Sequence, residues 1–398
     1  MTRVVLLFLL LVIIAPSNTI GFGLGFYYAA ISRNTNLSFL PLVLAAALFF
    51  ASYNSTKIPE SDLFFYWQSS EELARIDFFQ LINLYRHEPG YYFMNWLFVR
   101  GLGFEWSSWV FVFSFAFYFS WLTGINIVLN FLKLDRTSSL TLLVFAMFFP
   151  LVFIQSAHLV RQYIAMGIGL LGLATFLITG RGWRYFIVAP IFHVAAFALL
   201  IVPLSARLGS RSQRAAVFYT LFVALFLVLA GRVAGENPEF LQSLGVPNLI
   251  IYGIGRLSQD QFYQLNDLSL IGLLFSTISL GASILGLYIN REKIASISKE
   301  VNLRFTSFLT FNAVLSASII LLSLLGYTEP ATRMLQFILL QFPVVLATLV
   351  FLTKTFRFFT IIAGVLMPIL FFSYPSTWSY GDVLKVLLYP HYFYLIGA

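Results

Sequence analysis

Residues 107–131 read SSWVFVFSFAFYFSWLTGINIVLNF, a stretch of 25 residues without a charge. As an α-helix this stretch rises about 37 Å at ~1.5 Å per residue, and crossing the hydrocarbon core of a bilayer takes about 20 apolar residues. Comparable stretches recur through the 398 residues, which are 60% hydrophobic and only 10% charged. Because a single segment in lipid satisfies its backbone polar groups only as a helix, the sequence predicts an all-α, polytopic integral membrane protein.

We expect about ten membrane crossings joined by short loops. They are residues 4–31, 38–53, 107–131, 139–156, 160–179, 214–232, 266–289, 305–326, 332–353 and 357–373. Residues 4–31 are interpreted as one uncleaved span broken at Pro16. The chain, 1–398, is then a single transmembrane domain with extracytoplasmic cap loops at about 54–106 and 233–265. Two aromatic-rich segments that are too short to cross suit interfacial helices: Pro89–Arg100 and Asp382–Ile396.

The net charge of +8 comes mostly from basic residues in short loops, a pattern that sets membrane orientation and does not suit nucleic-acid binding. With the N-terminus outside, the inner loops hold 14 of the 24 basic residues and three of the 16 acidic ones, so they carry +11 and the outer side −3. This topology requires residues 185–204, which contain Pro190 and Pro203, to form a re-entrant hairpin. A full span there would leave only nine basic residues inside, so the charge rule favours the hairpin.

Composition argues against several chemistries. The chain has no cysteine, which excludes disulfides, thiol catalysis and Cys-based metal sites. Its four histidines are scattered, without a His-x-x-x-His or Asp-x-Asp pair. No Walker-type phosphate loop is present in the sequence. We therefore expect no metal, no cofactor and no ATP-driven work.

The apolar stretch 140–179 is interrupted by His158 and Arg161. One interpretation is the tip of a helical hairpin with an arginine that extends to the membrane surface. The other is an anion site, because arginine keeps its proton and its planar fork matches phosphate. Gln162 follows directly and would add an amide to such a site.

Two further arginines lie on the predicted outer side. Arg333 follows Glu329 at the i,i+4 spacing of a weak helical ion pair, worth about 0.2–0.5 kcal/mol. Alternatively, Arg333 and Arg161 clamp two phosphates, with Arg256 in position to help.

His193 and Glu88 are the candidate proton-transfer residues. His193 is flanked by apolar residues and is either a packing residue or a general base in the predicted hairpin, since irregular backbone at membrane depth lines cavities. Glu88 precedes Pro89 and is either a helix cap or a group that binds a hydroxyl. Asp62 and Tyr66 share a helical face, where simple solvation is the alternative to substrate binding.

Six short motifs follow one another along residues 4–396. They are Asp62…Tyr66, Glu88-Pro89-Gly90-Tyr91, Arg161-Gln162-Tyr163-Ile164-Ala165, Phe192-His193-Val194-Ala195-Ala196, Arg333, and Pro390-His391-Tyr392-Phe393. Their order and spacing resemble the EpsG/Wzy group of polysaccharide polymerases of bacterial envelopes. The sequence departs from that pattern where Glu60-Ser61-Asp62-Leu63 replaces a Gly-Thr-Asp-Tyr-like stretch, and where Pro-His-Tyr replaces Pro-Tyr.

The resemblance implies a glycosyltransferase of GT-C-like helical architecture in the bacterial inner membrane, acting at its outer leaflet on undecaprenyl-diphosphate-linked oligosaccharides. Arg161, Arg333 and Arg256 would hold the diphosphate, with Gln162 and His158 beside them. Asp62, Tyr66 and Tyr91 would contact the sugars, and His193 and Glu88 would carry the proton chemistry. Besides membrane lipids, the implied partners are a chain-length regulator and a flippase. A ligase, or a glycolipid flippase that is no enzyme, remains the alternative.

Overall fold

The computed structural model describes residues 2–32, 39–58, 61–84, 88–209, 212–222, 238–243, 268–293, 298–324, 328–373 and 381–395. Every regular element among these residues is a helix, which confirms the all-α prediction. By internal contacts the chain divides into two compact units. Unit 1 comprises residues 1–171, 191–193 and 358–398, and unit 2 comprises residues 172–190 and 194–357.

The helices of the described residues are numbered in chain order. They are α1 (Thr2–Ile13), α2 (Asn18–Ile31), α3 (Leu40–Ser55), α4 (Ser61–Leu73), α5 (Phe78–Leu84), α6 (Pro89–Trp96), α7 (Trp106–Phe131), α8 (Arg136–Met147), α9 (Pro150–His158), α10 (Val160–Thr179), α11 (Trp183–Phe192), α12 (Ile201–Leu208), α13 (213–222), α14 (Pro238–Ser243), α15 (Leu268–Lys293), α16 (Lys299–Leu324), α17 (Thr328–Leu352), α18 (Thr355–Ser373), α19 (Val383–Leu388) and α20 (His391–Leu395). A π-helical turn (Leu97–Gly101) follows α6, and a 3₁₀-helix (Val194–Leu200) joins α11 to α12.

Within the described residues, six helices are long and apolar enough to cross a membrane, and the bent pair α8–α9 makes a seventh if it is one span. These correspond to the predicted crossings 107–131, 139–156, 160–179, 266–289, 305–326, 332–353 and 357–373. The protein is therefore a multi-pass membrane protein. Helix α3, at the predicted crossing 38–53, is apolar but has only 16 residues. The crossing 214–232 lies only partly within the described residues.

The prediction that residues 4–31 cross the membrane as one span broken at Pro16 is wrong. The stretch forms two helices, and the ring centroids of Phe8 and Tyr28 lie 4.6 Å apart, so α1 folds back along α2. The reason lies at the break, where the Ser17 hydroxyl accepts a hydrogen bond from the backbone N–H of Ile20. This N-cap starts a new helix directly after Pro16 and lets the chain reverse.

The core of unit 1 is built around α3 and α7. Almost every residue of α3 is buried, and Asn54 near its end donates a hydrogen bond of 3.1 Å to the Ser114 hydroxyl of α7. Helix α7 also packs closely on α10, because a Cβ at Gly124 would lie 3.2 Å from the carbonyl oxygen of Leu170. Glycine there lets two membrane-length helices approach at backbone distance, as is typical of membrane helix packing.

Both predicted interfacial segments are helical. Residues 89–100 form α6 and the π-helical turn, while residues 382–396 contain α19 and α20. The C-terminal pair is tied to the N-terminal helices: Asn18 Nδ2 donates to the carbonyl oxygen of Val386, and Thr19 Oγ1 donates to that of Leu387. The predicted cap at 54–106 includes α4, α5 and α6, and most of the cap at 233–265 lies outside the described residues.

The segment that holds the predicted hairpin consists of α11, the 3₁₀-helix and α12, and all of it except residues 191–193 belongs to unit 2. The guanidinium of Arg207, near its end, lies 5.3 Å from the ring centroid of Trp183, at its beginning. The segment therefore reverses direction and returns to the place where it started.

Helices α15, α16 and α17 pack against one another in unit 2, with neutral polar side chains between them. Asn312 Nδ2 donates a 2.8 Å hydrogen bond to Gln341 Oε1, and both side chains are fully buried. In lipid such interhelical bonds average about 0.6 kcal/mol and reach 1–2 kcal/mol. The pair therefore fixes how α16 and α17 pack.

We predict that Asn312→Ala lowers the thermal unfolding midpoint in detergent, because the Gln341 amide loses its partner in an apolar interior. The double variant Asn312→Leu, Gln341→Leu should cost less than the sum of the two single Leu variants. Ser318→Ala, on a partly exposed face of the same helix, serves as the control. Strictly additive losses would show that the two amides do not stabilise the packing together.

Candidate functional site

The side chain of Glu88 lies at the centre of a buried polar group in unit 1. Its Oε2 is 2.5 Å from Arg161 Nη1, and its Oε1 is 3.7 Å from His193 Nε2. Glu88 is 2% exposed, against 23% for Arg161 and 16% for His193. A buried carboxylate thus lies between a permanent cation and an imidazole, and the two partners reach the surface while the carboxylate does not.

Aromatic rings surround the guanidinium of Arg161. Its central carbon lies 5.1 Å from the ring centroid of Tyr66 and 5.6 Å from that of Tyr91, and Nη1 also donates to the hydroxyl of Tyr92 at 3.3 Å. Cation–π contacts of this kind strengthen when water is excluded. The rings therefore fix the orientation of the guanidinium as well as its position.

Local structure explains why Glu88 faces Arg161. Glu88 occupies the N-cap position of α6 with Pro89 following it, as the sequence suggests, but its side chain makes no capping hydrogen bond. Its backbone carbonyl instead begins the helix by accepting from Tyr92 N–H at 3.3 Å. The carboxylate is thereby available for the ion pair: Glu88 is the N-cap residue of α6, as the cap interpretation expects, but its side chain pairs with Arg161.

Arg161 lies in the first turn of α10, where a cation is unfavourable because the helix N-terminus carries partial positive charge. The ion pair with Glu88 offsets this cost. Gln162, the next residue, is buried, and its Nε2 has no hydrogen-bond partner among the described residues.

Gly90 brings His193 to Glu88. A Cβ at Gly90 would lie 2.7 Å from Ile191 Cγ2 and 3.2 Å from the Ile191 carbonyl oxygen. Only a residue without a side chain allows the first turn of α6 to touch the chain two residues before His193. The glycine of the Glu-Pro-Gly-Tyr motif is therefore required by this close approach.

A second set of contacts holds α6, and with it the aromatic rings around Arg161, in place. Trp109 Nε1 of α7 donates a 2.6 Å hydrogen bond to Asn95 Oδ1 of α6, and both side chains are buried. Tyr91 belongs to the same apolar cluster as Trp109. Burial raises the pKa of the Tyr91 phenol, and the nearby Arg161 cation opposes this rise. Tyr91 is therefore a neutral ring that packs against the cation.

The structure brings together five of the residues singled out from sequence: Glu88, Arg161, His193, Tyr66 and Tyr91. Arg333 lies in the first turns of α17, in unit 2, and is exposed. The side chains of His158 and Asp62, and all of Arg256, lie outside the described residues. Their roles stay predictions.

Sequence reasoning missed Tyr92 and the pair formed by Asn95 and Trp109. Tyr92 follows Glu88 by four residues, a spacing that places both on one helical face and could have indicated its contact with Arg161. No comparable pattern links Asn95 to Trp109, which belong to different helices. Among the described residues, no group of three or more His, Asp or Glu side chains could hold a metal ion.

The fold and the site together place the chain in the class of multi-pass helical membrane proteins with a buried polar site. In this site a carboxylate pairs with an arginine and lies near an imidazole. Comparison with known families is more specific. The model of the EpsG family matches residues 63–393, so the chain belongs to the EpsG family, which is associated with exopolysaccharide biosynthesis. Neither a curated protein nor a solved structure was found to match the chain.

We predict that Gly90→Ala lowers the thermal unfolding midpoint, because the new Cβ must displace Ile191. Removing the opposing side chain in Gly90→Ala, Ile191→Ala should recover part of that loss relative to the two single changes. Gly23→Ala is a suitable control, since nothing lies within 4 Å of a Cβ there. Independent effects of the two substitutions would show that α6 and the chain at 191–193 are not in contact.

Proposed function

We propose that the protein is a glycosyltransferase that polymerises undecaprenyl-diphosphate-linked oligosaccharide repeat units at the outer leaflet of the bacterial inner membrane. The observation that carries the proposal is the buried Glu88 carboxylate between Arg161 and His193. Membership of a family associated with exopolysaccharide biosynthesis supports the substrate class.

The proposed reaction transfers the growing glycan from its lipid diphosphate to a new repeat unit. A hydroxyl oxygen of the acceptor sugar attacks the anomeric carbon of the donor glycan. The bond from that carbon to the phosphate oxygen breaks, and undecaprenyl diphosphate leaves with the electron pair. The hydroxyl proton passes to an imidazole nitrogen, and the leaving group requires fixed cations near it.

His193 is the proposed base in this step, and Glu88 orients it. The Nε2 atom faces the Glu88 carboxylate at 3.7 Å, longer than a hydrogen bond. Such contacts often tighten when substrate binds. With Nε2 directed at the carboxylate, Nδ1 takes the proton, and the carboxylate stabilises the imidazolium that forms. Glu88 is a positioning residue in this scheme.

Arg161 is proposed to have two tasks. Its Nη1 holds Glu88, so that the carboxylate stays ionised in a buried place. The partly exposed remainder of the guanidinium binds a phosphate oxygen of the leaving group. Arg333 and Arg256 are proposed as further cations for the diphosphate, on the grounds of charge and predicted outer position.

The proposed membrane topology has about ten crossings, with residues 185–204 re-entering and leaving on the cytoplasmic face. The contact of Arg207 with Trp183 supports it, because both residues then lie at that face. The ends of α10 fit the same orientation, with Arg161 outside and Arg181 inside.

To test the orientation, single cysteines can be introduced into this Cys-free chain. Cysteine at Leu208, an exposed position, should resist a membrane-impermeant maleimide in intact cells and react after permeabilisation, because Leu208 follows the proposed hairpin. Cysteine at the exposed Ile58 should react in intact cells and serves as the outside control. Labelling of both positions from outside would contradict the hairpin.

The catalytic assignment can be tested in proteoliposomes with a synthetic undecaprenyl-diphosphate-linked repeat unit, with products separated as a glycan ladder. His193→Ala should reduce the rate of ladder formation about 10²–10⁴-fold, the usual contribution of a general base. Glu88→Gln should also reduce kcat, because the neutral amide does not stabilise an imidazolium. Glu105→Gln, an exposed carboxylate at the start of α7 without a side-chain cap bond, is the matched control.

Both variants must be compared at equal folded amounts, since removing one partner of a buried ion pair destabilises by about 3–5 kcal/mol. A full ladder from folded His193→Ala would contradict its role as base. Transfer of a single glycan to another acceptor, without a ladder from the wild-type protein, would identify a ligase and contradict the polymerase.

A further inference from the structure

Lys57 is a buried lysine of unit 1 that the scheme above does not use. It lies directly beyond the C-terminal end of α3, and its side chain is 6% exposed. Its ammonium nitrogen lies 4.6 Å from the ring centroid of Phe153 on α9 and 5.6 Å from that of Tyr53 on α3. Its backbone carbonyl accepts a 2.9 Å hydrogen bond from Trp106 Nε1 at the start of α7. Three helices thus fix this residue.

The charge of Lys57 has no acidic partner in the described part of the chain. No carboxylate there lies within ion-pairing distance of its nitrogen, in contrast to Arg161 with Glu88. The C-terminal segment contacts the neighbouring Thr56, whose Oγ1 accepts from the backbone N–H of Asp382, while the Asp382 carboxylate caps α19 by accepting from Lys385 N–H. Burial lowers the pKa of Lys57 to about 7.

An ammonium held in an apolar cage without a carboxylate costs free energy, so buried cations normally have an anionic partner. The partial negative charge at the C-terminal end of α3 compensates only in part. The cage is close to the protein surface, because the next residue, Ile58, is 64% exposed. Helix α9, which supplies Phe153, also leads directly to Arg161 at the start of α10.

We propose that Lys57 binds a phosphate oxygen of a lipid-linked diphosphate, as a second anion-binding position of unit 1 beside the Glu88 site. This inference rests on the proposed function, in which each transfer involves two lipid diphosphates, one on the donor and one on the acceptor. Arg161 is already committed in part to Glu88. Lysine suits the role because its compact ammonium binds phosphate as a point charge.

Undecaprenyl diphosphate is the probe for the first test, with the full-length protein in nanodiscs of phosphatidylcholine. Replacing Lys57 by Met should weaken binding about 10- to 100-fold, the loss expected for one hydrogen bond to a charged group. Lys57→Arg should retain most of the affinity. Lys385→Met is the matched control, because Lys385 also makes a cation–π contact, 5.2 Å from the Phe393 centroid, but is only partly buried.

A second experiment distinguishes a lipid-linked diphosphate from an ordinary lipid headgroup as the source of the phosphate. In nanodiscs of phosphatidylglycerol without the probe, the wild-type protein and Lys57→Met should show the same change in thermal midpoint relative to phosphatidylcholine. A stabilisation by phosphatidylglycerol that disappears in Lys57→Met would identify an ordinary lipid headgroup as the ligand and overturn the proposal.

Thermal stability separates a binding role from a structural one. In the unfolded chain Lys57 keeps its ordinary pKa of 10.5, whereas in the folded protein the value is about 7. The unfolded state therefore binds more protons between these values, so the ligand-free protein should gain stability as the pH rises from about 7 towards 10. The titratable ring of Tyr53 on α3 lies beside Lys57, and Asp382 before α19 contacts the neighbouring Thr56 through its backbone N–H.

Without ligand, Lys57→Met should be at least as stable as the wild-type protein at pH 7 and should lack the Lys57 part of this pH dependence. Unchanged affinity of Lys57→Met for undecaprenyl diphosphate would overturn the Lys57 assignment while the proposed function stands. Failure of the wild-type protein to bind undecaprenyl diphosphate would overturn both. If Lys57→Met fails to fold, Lys57→Gln takes its place under the same criteria.

Discussion

The arrangement of unit 1 depends on the ion pair between Arg161 and the buried carboxylate of Glu88. Removing a carboxylate from water costs several kcal/mol even after relaxation, and only a close cation with good geometry offsets that cost. Arg161 supplies the cation at 2.5 Å. Its own position at a helix N-terminus is unfavourable unless an anion is near. Each charge therefore offsets the free-energy cost of the other. As a result, the start of α6 and the start of α10 must lie side by side.

The same constraint explains the aromatic surround and the glycine. Tyr66 and Tyr91 place ring faces against the guanidinium, so no water is needed to solvate that side of it. Gly90 gives the approach that brings the chain at 191–193, and with it an imidazole, to the second oxygen of the carboxylate. A carboxylate with a cation on one oxygen and an imidazole near the other is the arrangement on which the proposed role of His193 as a base rests.

Much of the fold could be predicted from sequence, because the length and hydrophobicity of a membrane helix are local properties. The wrong prediction at residues 4–31 has a local cause too: Ser17 caps a new helix after Pro16, and the two apolar helices on either side pack against each other.

The residues of the candidate site were predicted one by one, without the contacts between them. Glu88 and Arg161 are 73 positions apart, and no periodicity states which distant helix starts meet. Lys57 was missed because a single lysine at the end of an apolar stretch resembles one that extends to the membrane surface. Only the packing of α9 shows that it is buried.

Among the described residues, the buried Lys57 and Glu88 both lie in unit 1, and this distribution bears on the proposed function. In the packing of α15, α16 and α17, the buried pair Asn312 and Gln341 is neutral and its hydrogen bond satisfies both amides in part. Neutral amides hold helices together in lipid without responding to protons or anions. Unit 1 also contains buried amides such as Asn54 and Asn95, but in addition it holds the buried Glu88 and Lys57 and the partly buried Arg161. Charges retained in apolar surroundings are costly and are kept mainly where chemistry or ligand binding needs them. These buried charges are why the proposed chemistry is assigned to unit 1.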